Sequence, residues 1–281
     1  MKKQTKEFIN MLKMTQEELG KYVLSKVGNV KLYHKHNSYI YLEYDESNPI
    51  LTSHLDTINT HDYVNKTPEP ILAIYGDGTV NNLNEKAVLG ADDRAGVWVM
   101  LQLLYSGNIN YNYLFCYDEE IGGVGSKEFA NEFKEKLYKS SCFISLDRRG
   151  SDEIASYGYD NEDLIKIFTD IGYKPVTGSF TDCVNLSRVS DIACCNLSVG
   201  YNYEHTDTEV QDINVMYKVL DVLNKVSHNF VRQYQAYDDI YSDSSAEPIL
   251  CECCGEHAPL YMITIDNYDY NICIDCKEYY V

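Results

Sequence analysis

The stretch YLFCYDEEIG at positions 113–122 carries the strongest structural signal in this chain. Its first five residues are apolar or aromatic, without the alternation of a strand that has one face in water. An uninterrupted run of this kind is typical of a strand inside a parallel sheet that is covered on both faces. Two adjacent acids, Glu119 and Glu120, follow it almost directly. The stretch therefore predicts a buried strand that brings paired carboxylates to one edge of a sheet.

Four further segments carry acidic or histidine side chains, and each lies where a strand is predicted to end. They are 53–57 (SHLDT), 90–96 (GADDRAG), 146–150 (LDRRG) and 203–207 (YEHTD). The carboxyl ends of parallel strands meet at the same edge of a sheet, which is where α/β proteins bind their ligands. We therefore expect all five segments to lie together.

Segments with helical periodicity alternate with the predicted strands. The predicted helices cover 4–27, 95–105, 126–137, 162–172 and 210–233. A capping box formed by Thr15 and Glu18 allows the first of them to be two helices. The predicted strands and hairpins cover 31–44, 50–53, 71–78, 113–117, 142–146 and 195–199. This alternation predicts an α/β fold with a mostly parallel mixed sheet flanked by helices.

Composition restricts the class of protein and its partners. The 281 residues, 44% hydrophobic and 24% charged, suit one sizeable soluble domain with an appendage. With 43 acidic against 24 basic residues, the net charge is −19, which argues against nucleic acid or an anionic membrane as a partner. No apolar run approaches the roughly 20 residues that span a bilayer, and the N-terminus lacks the apolar core of a signal peptide. Cytoplasmic residence with reduced thiols is expected.

The five segments supply a donor set suited to two divalent metal ions. Two imidazoles and several carboxylates are enough to hold such a pair and leave one carboxylate as a base. His54 and Asp56 face the same side of an extended strand, so Asp56 can orient the imidazole through its far nitrogen. Asp92, at a loop-to-helix junction, can either bridge two ions or cap the helix, and Asp93 fits the capping role better. Of Glu119 and Glu120, one can bind metal while the other stands over the attacking water.

Formal charges agree with such a cluster. Two divalent ions carry +4, and the carboxylates of Asp92, Glu120 and Asp147 carry −3, so that one bridging hydroxide brings the cluster to neutrality. Glu119 would then accept the proton of the nucleophile and pass it to the leaving amine. The sequence therefore predicts a metal-dependent hydrolase.

The five segments resemble those of the co-catalytic two-zinc exopeptidases of clan MH, the group that includes peptidase T, glutamyl and leucyl aminopeptidases and aminoacylase. The string LGADDRAG at 89–96 is especially similar to peptidase T, and the likeness in order and content extends over about 50–210. The resemblance implies a di-zinc exopeptidase-like α/β fold and two zinc ions. It implies the following roles: metal ligands His54, Asp92 (the bridge), Glu120, Asp147 and His205; orienting residue Asp56; general base Glu119.

The chain departs from peptidase T in one respect. Enzymes of that type carry a lid or dimerisation domain between the last two ligands, whereas here only the 57 residues 148–204 separate Asp147 from His205. The architecture is therefore expected to resemble the single-domain aminopeptidases. Without a lid the substrate-binding residues are unknown. Nearby polar candidates, each of which also suits a structural role, are Arg94, Arg148, Arg149, Tyr201 and Tyr203.

A second metal site is predicted near the C-terminus. Its four ligands would be Cys251, Cys254, Cys273 and Cys276, in two C-x2-C pairs separated by the 18 residues 255–272. This spacing is typical of a structural zinc ribbon, in which the ion supplies the folding energy that so short a segment lacks. Cys253 is a spare thiol and His257 a weaker ligand candidate. The ribbon could bind a partner protein, cover the active-site rim or drive homo-oligomerisation.

The predicted organisation is a di-metal hydrolase domain at 1–235 without an inserted lid, an acidic linker at 236–249 and the zinc-ribbon module at 250–281. The first functional hypothesis is an aminopeptidase that cleaves short peptides. The second is an amidohydrolase that acts on N-acyl amino acids or other small amides. The third is a catalytically silent protein that binds a partner through the ribbon. Structural calcium binding fits poorly with two histidines among the ligands.

Overall fold

The computed structural model describes residues 3–58, 70–236, 260–265 and 268–273. The chain forms two compact units, Met1–Tyr237 and Asp238–Val281. The helices of the first unit are α1 (Lys3–Met11), α2 (Gln16–Lys26), α3 (Ala91–Tyr105), α4 (Val124–Glu132), α5 (Lys134–Leu137), α6 (Glu162–Thr169), α7 (Asp182–Ser190) and α8 (Ile213–Val226). Its strands are β1 (Lys31–Lys35), β2 (Tyr39–Glu43), β3 (Ile50–His54), β4 (Leu72–Ile74), β5 (Thr79–Asn82), β6 (Asn112–Cys116), β7 (Phe143–Arg148), β8 (Glu153–Ser156), β9 (Lys174–Thr177), β10 (Cys194–Ser198), β11 (Tyr201–Asn202) and β12 (Val210–Asp212).

The main sheet of the first unit has eight strands in the order β1-β2-β6-β3-β7-β10-β8-β9. Its centre is parallel, because β6, β3, β7 and β10 pair in the same direction. Antiparallel pairing occurs towards the edges, between β1 and β2, β2 and β6, and β10 and β8. The mixed, mostly parallel sheet predicted from the sequence is confirmed.

Helices cover both faces of this sheet. Alternate residues of β6 show it: Tyr113 and Phe115 belong to a core cluster with α1, α3 and α8, while Leu114 and Cys116 belong to a second cluster with α4 and α7. Because both faces of β6 are buried, the strand needs no polar alternation. The apolar helix α3 packs directly on β3 and β7, at the centre of the larger cluster.

A second sheet of four antiparallel strands, in the order β11-β12-β5-β4, lies beside the segment that carries His205. It corrects the predicted helix over 210–233. Val210–Asp212 forms β12 and pairs with β5, and α8 begins only where the side chain of Asp212 accepts a hydrogen bond from the Asn214 amide. The predicted helix over 126–137 is also broken, at Phe133.

The N-terminal helices follow the sequence prediction closely. The capping box at the start of α2 is present, with the Thr15 side chain accepting from the Glu18 amide and the Glu18 side chain accepting from the Thr15 amide. The hairpin of β1 and β2 turns at Asn37, whose positive φ of 55° suits an asparagine.

The second unit contains an antiparallel hairpin of β13 (Leu260–Ile265) and β14 (Tyr268–Cys273). Cys251, Cys254 and Cys276 lie outside the described residues, so the zinc ribbon stays a prediction. In the described part of the chain, no helix has the length and apolar character needed to cross a membrane. The five cysteines whose side chains are described, Cys116, Cys142, Cys183, Cys194 and Cys195, are free and buried.

Candidate active site

His54 ends β3 and lies at the centre of the first group of converging side chains. Its Nε2 atom is 3.1 Å from Oδ1 of Asp92 and 3.5 Å from Oδ1 of Asp147. The imidazole is only 2% exposed, and Asp92 and Asp147 also lie largely out of solvent. Three donor atoms from residues far apart in sequence therefore surround one point.

A second group shares one member with the first. Nε2 of His205 is 3.0 Å from Oε1 of Glu120 and 3.2 Å from Oδ2 of Asp92. The two carboxylate oxygens of Asp92 thus face different histidines, Oδ1 towards His54 and Oδ2 towards His205. This is the arrangement expected of a carboxylate that bridges two metal ions.

The distances within each group fit a zinc coordination sphere. The donor atoms of each triad lie within 4.8 Å of one another. With bonds of about 2.0–2.2 Å, the edge of a tetrahedron of ligands measures about 3.3 Å, and the four contacts just described range from 3.0 to 3.5 Å. Imidazole and carboxylate donors together suit zinc better than calcium or magnesium.

Local structure explains how these residues converge. The parallel strands β3 and β7 carry His54 and Asp147 at their carboxyl ends, and Glu120 follows the end of β6. The expectation that each segment follows a strand is wrong for Asp92, which lies in the first turn of α3 with non-helical angles (φ −75°, ψ 108°). His205 lies in the loop between β11 and β12 and has a positive φ of 62°.

Asp56 connects the histidine to the acidic pair. Its Oδ1 lies 3.3 Å from Nδ1 of His54, while Nε2 of that ring faces Asp92 and Asp147. The same carboxylate accepts hydrogen bonds from the backbone amides of Glu119 at 3.1 Å and Glu120 at 3.0 Å. Asp93 takes the capping role: it accepts from the amide of Gly96, and also from that of His54.

Glu119 lines the cavity next to the two groups of converging side chains. Burial raises the pKa of its carboxyl to about 10, and the neighbouring carboxylates of Asp147, Asp182 and Glu120 act in the same direction. Divalent cations at the two positions would oppose this shift, because a nearby positive charge favours the ionised carboxylate. Without cations the Glu119 carboxyl therefore holds its proton at neutral pH, and cations at the two positions would favour its ionised form.

The histidines respond to the same concentration of negative charge. Hydrogen bonds with Asp92 and Glu120 raise the pKa of His205 to about 11. Burial opposes protonation of His54, yet contacts with Asp147, Asp56 and Asp92 raise its pKa well above the ordinary value. Without cations, both histidines would therefore be protonated. Their positive charge would then offset the negative charge of the neighbouring carboxylates.

Three residues support Asp147, and the sequence analysis gave none of them this role. The hydroxyl of Thr181 donates to Oδ2 at 2.8 Å and that of Tyr201 to Oδ1 at 3.0 Å. Asn196 exchanges hydrogen bonds with the Asp147 backbone. The sequence analysis named Tyr201 for substrate binding or a structural role, and no local pattern marks Thr181 or Asn196, because they approach Asp147 only in the folded chain.

Of the remaining substrate-binding candidates, two line the cavity and two do not. Arg148 and Arg149 line the cavity, which measures about 170 Å³, and pair with Glu153 and Glu204 respectively. Arg94 is buried and donates to backbone carbonyls of Met11, Gly90 and Met14, so its role is structural. Tyr203 is 66% exposed and lies outside the cavity lining.

Solved structures similar to this chain include aminopeptidases and an exopeptidase. No protein-family model and no curated protein matches the sequence. The chain is similar to aminopeptidase PepT from Bacillus cereus (TM-score 0.63, 14% identity, covering 82% of this chain and 98% of that one). It is also similar to the TET1 peptidase of Pyrococcus horikoshii (TM-score 0.58, 12% identity, covering 79% of this chain and 98% of that one). The chain is similar as well to a Zn-dependent exopeptidase from Parabacteroides distasonis (TM-score 0.56, 13% identity, covering 79% of this chain and 95% of that one).

The chain therefore has the fold of these aminopeptidases and of the Zn-dependent exopeptidase, as the clan MH resemblance implied.

Proposed function

We propose that this protein is a metal-dependent hydrolase that cleaves a peptide or amide bond, in the first place an aminopeptidase that acts on short peptides. The observation that carries the proposal is the position of Asp92, whose two oxygens each face a different histidine-carboxylate pair. A single buried aspartate so placed suits two ions better than one. The fold shared with zinc exopeptidases supports the same conclusion.

In this proposal the ions would be held by all five predicted ligands. His54 and Asp147 would serve one ion, Glu120 and His205 the other, and Asp92 both. Asp56 would fix the His54 ring, because it contacts the nitrogen that faces away from the metal. Zinc is the metal proposed for both positions, because imidazole and carboxylate donors suit it.

The residues would then divide the chemistry between them. When bound, the ions polarise the scissile carbonyl and lower the pKa of water. Glu119, in the cavity wall, accepts a proton from the attacking water and returns it to the leaving amine. The backbone amide of Glu119 is fixed by Asp56, so the carboxylate is presented from a defined position.

A substrate panel tests the activity. The zinc-loaded protein is offered di- and tripeptides with a free amino terminus, the same peptides N-acetylated, and N-acyl amino acids. Release of the first residue only from the free-amine peptides is the expected result. Turnover confined to the blocked substrates would replace the aminopeptidase with the amidohydrolase. If no member of the panel is hydrolysed, the binding protein without catalysis takes their place.

The proposal extends to metal content and assembly. A further zinc ion in the C-terminal cysteine module is proposed from the C-x2-C spacing.

The TET1 peptidase can assemble into a tetrahedron or a large octahedral shell. Self-association of this chain is proposed on that likeness, and light scattering after size-exclusion chromatography is its test. Residence in the cytoplasm is proposed from the sequence alone.

A further inference from the structure

Glu209 is a buried carboxylate outside the ligand set, and it contacts the segment that carries Asp92. Its side chain is 1% exposed. Oε2 accepts a hydrogen bond from the amide of Gly90 at 2.7 Å, and Oε1 accepts one from the amide of Asp92 at 3.0 Å. One carboxylate thus spans the residues on either side of Ala91, where α3 begins.

These two amides have no local partner. Helix α3 follows Gly90, which has a left-handed backbone (φ 74°) and provides no side-chain cap. First-turn amides of a helix need an acceptor, usually a serine, threonine, asparagine or aspartate at the N-cap. Here the acceptor is 119 residues away from Gly90 in sequence. Burying a carboxylate costs more free energy than placing a polar cap residue at the start of the helix. Capping of α3 alone therefore does not explain why Glu209 is buried here.

The position of Glu209 in its own segment supplies a better reason. It lies four residues after His205 and immediately before β12, which is anchored to β5 in the second sheet. A single short segment therefore carries one histidine of the site and the group that holds the bridging aspartate. Asp92 needs such support, because its backbone angles (φ −75°, ψ 108°) are not those of a helix, although it lies in the first turn of α3.

We propose that Glu209 is a positioning residue that fixes the Asp92 backbone relative to His205, so that the two oxygens of Asp92 reach both metal positions. This inference rests on the proposed di-metal site. Partners behind metal ligands hold them in their binding orientation, and their loss weakens metal binding about 10- to 100-fold. Glu209 differs from the usual case because it acts on the backbone of the ligand.

The test compares zinc affinity in two Glu209 variants and a matched control. In Glu209→Gln the amide group can accept one of the two hydrogen bonds but presents N–H to the other donor. In Glu209→Asp the carboxylate is set back by one methylene and cannot reach both amides. The control is Asn161→Ala, because Asn161 is buried and its oxygen accepts from two first-turn amides of α6. Zinc affinity of the full chain is measured by chelator competition, and unfolding of the zinc-free chain by heating.

We expect zinc to bind at least about tenfold more weakly to Glu209→Gln, and to bind the control within twofold of the unchanged protein, although the control unfolds at a lower temperature. Glu209→Gln affinity within twofold would overturn the inference and leave Glu209 as a helix cap. If Glu209→Gln does not fold, Glu209→Asp is judged by the same threshold. Failure of the unchanged protein to bind a pair of ions would instead overturn the proposed function, and this inference with it.

Discussion

Asp56 accepts a hydrogen bond from the backbone amide of Glu119 at 3.1 Å, so the residue that contacts His54 also fixes the proposed base. The second oxygen of Asp56 accepts from the amide of Glu120, the adjacent ligand candidate. One carboxylate thus links β3 to the loop after β6. Its pKa is lowered, because the hydrogen bond to His54 and those from the two amides outweigh the opposing effect of burial.

Asp56→Asn should therefore impair metal binding and turnover together. The asparagine oxygen can accept only part of this set, and its amide group would face a backbone donor. We expect a loss of about 10- to 100-fold in zinc affinity, with a lower kcat even at saturating zinc, measured on a free-amine dipeptide. Asp118→Asn is the control. Asp118 lies in the loop after β6, next to Glu119, but its side chain accepts a hydrogen bond from Gln16. Equal effects of the two substitutions would contradict the role given to Asp56.

Glu119→Gln and Glu120→Gln should cause different defects, although the residues are adjacent. Glu119 lines the cavity outside both metal triads, whereas Glu120 contacts His205. We expect Glu119→Gln to retain zinc and lose about 10²- to 10⁴-fold in kcat. Glu120→Gln should release one ion more readily. Zinc content and kcat are measured on the same preparations, and near-normal turnover by Glu119→Gln would remove it as the base.

The sequence predicts the position of a candidate residue where that residue follows a buried strand. His54, Glu120 and Asp147 can be placed because their strands are uninterrupted apolar runs whose carboxyl ends share one edge. Asp92 can be assigned only through its loop-to-helix junction and the family resemblance, since it does not follow a strand.

The residues that support the ligands could not be predicted in the same way. Thr181 and Glu209 bind Asp147 and the Asp92 backbone from 34 and 117 residues away, and no local periodicity records such contacts. The segment that follows the His205 loop was misassigned for a related reason. Val210–Asp212 is a strand because β5 pairs with it, and this long-range pairing overrides the helical pattern of α8.

The zinc-free protein should lose stability as the pH rises. The pKa of His205 is raised to about 11 in the fold, from about 6.5 in an unfolded chain. A group with a raised pKa in the folded state stabilises that state fully below its unfolded pKa, and the stabilisation is lost as the pH rises through the folded value. Glu119, whose pKa is raised to about 10, acts in the same direction.

We therefore expect the unfolding temperature of the zinc-free chain to fall between about pH 6.5 and 8, before thiols and phenols of ordinary pKa ionise. His205→Ala should reduce this slope, while His34→Ala, on the exposed strand β1, should not. Zinc affinity should rise over the same range, because the imidazoles must lose their protons to bind metal. An unfolding temperature that rises with pH in the zinc-free chain would contradict the assignment.

Metal counting should separate the proposed ion pair from the proposed zinc ribbon. The unchanged chain is expected to bind about three zinc ions, two in the first unit and one in the cysteine module. In Asp92→Asn one bridging oxygen is replaced by an amide group, so at least one of the two ions should be lost along with turnover. In Cys254→Ser only the third ion should be lost, and hydrolysis of a dipeptide should continue. Elemental analysis of dialysed protein gives the counts, and loss of activity in Cys254→Ser with two ions retained would show that the module takes part in catalysis or assembly.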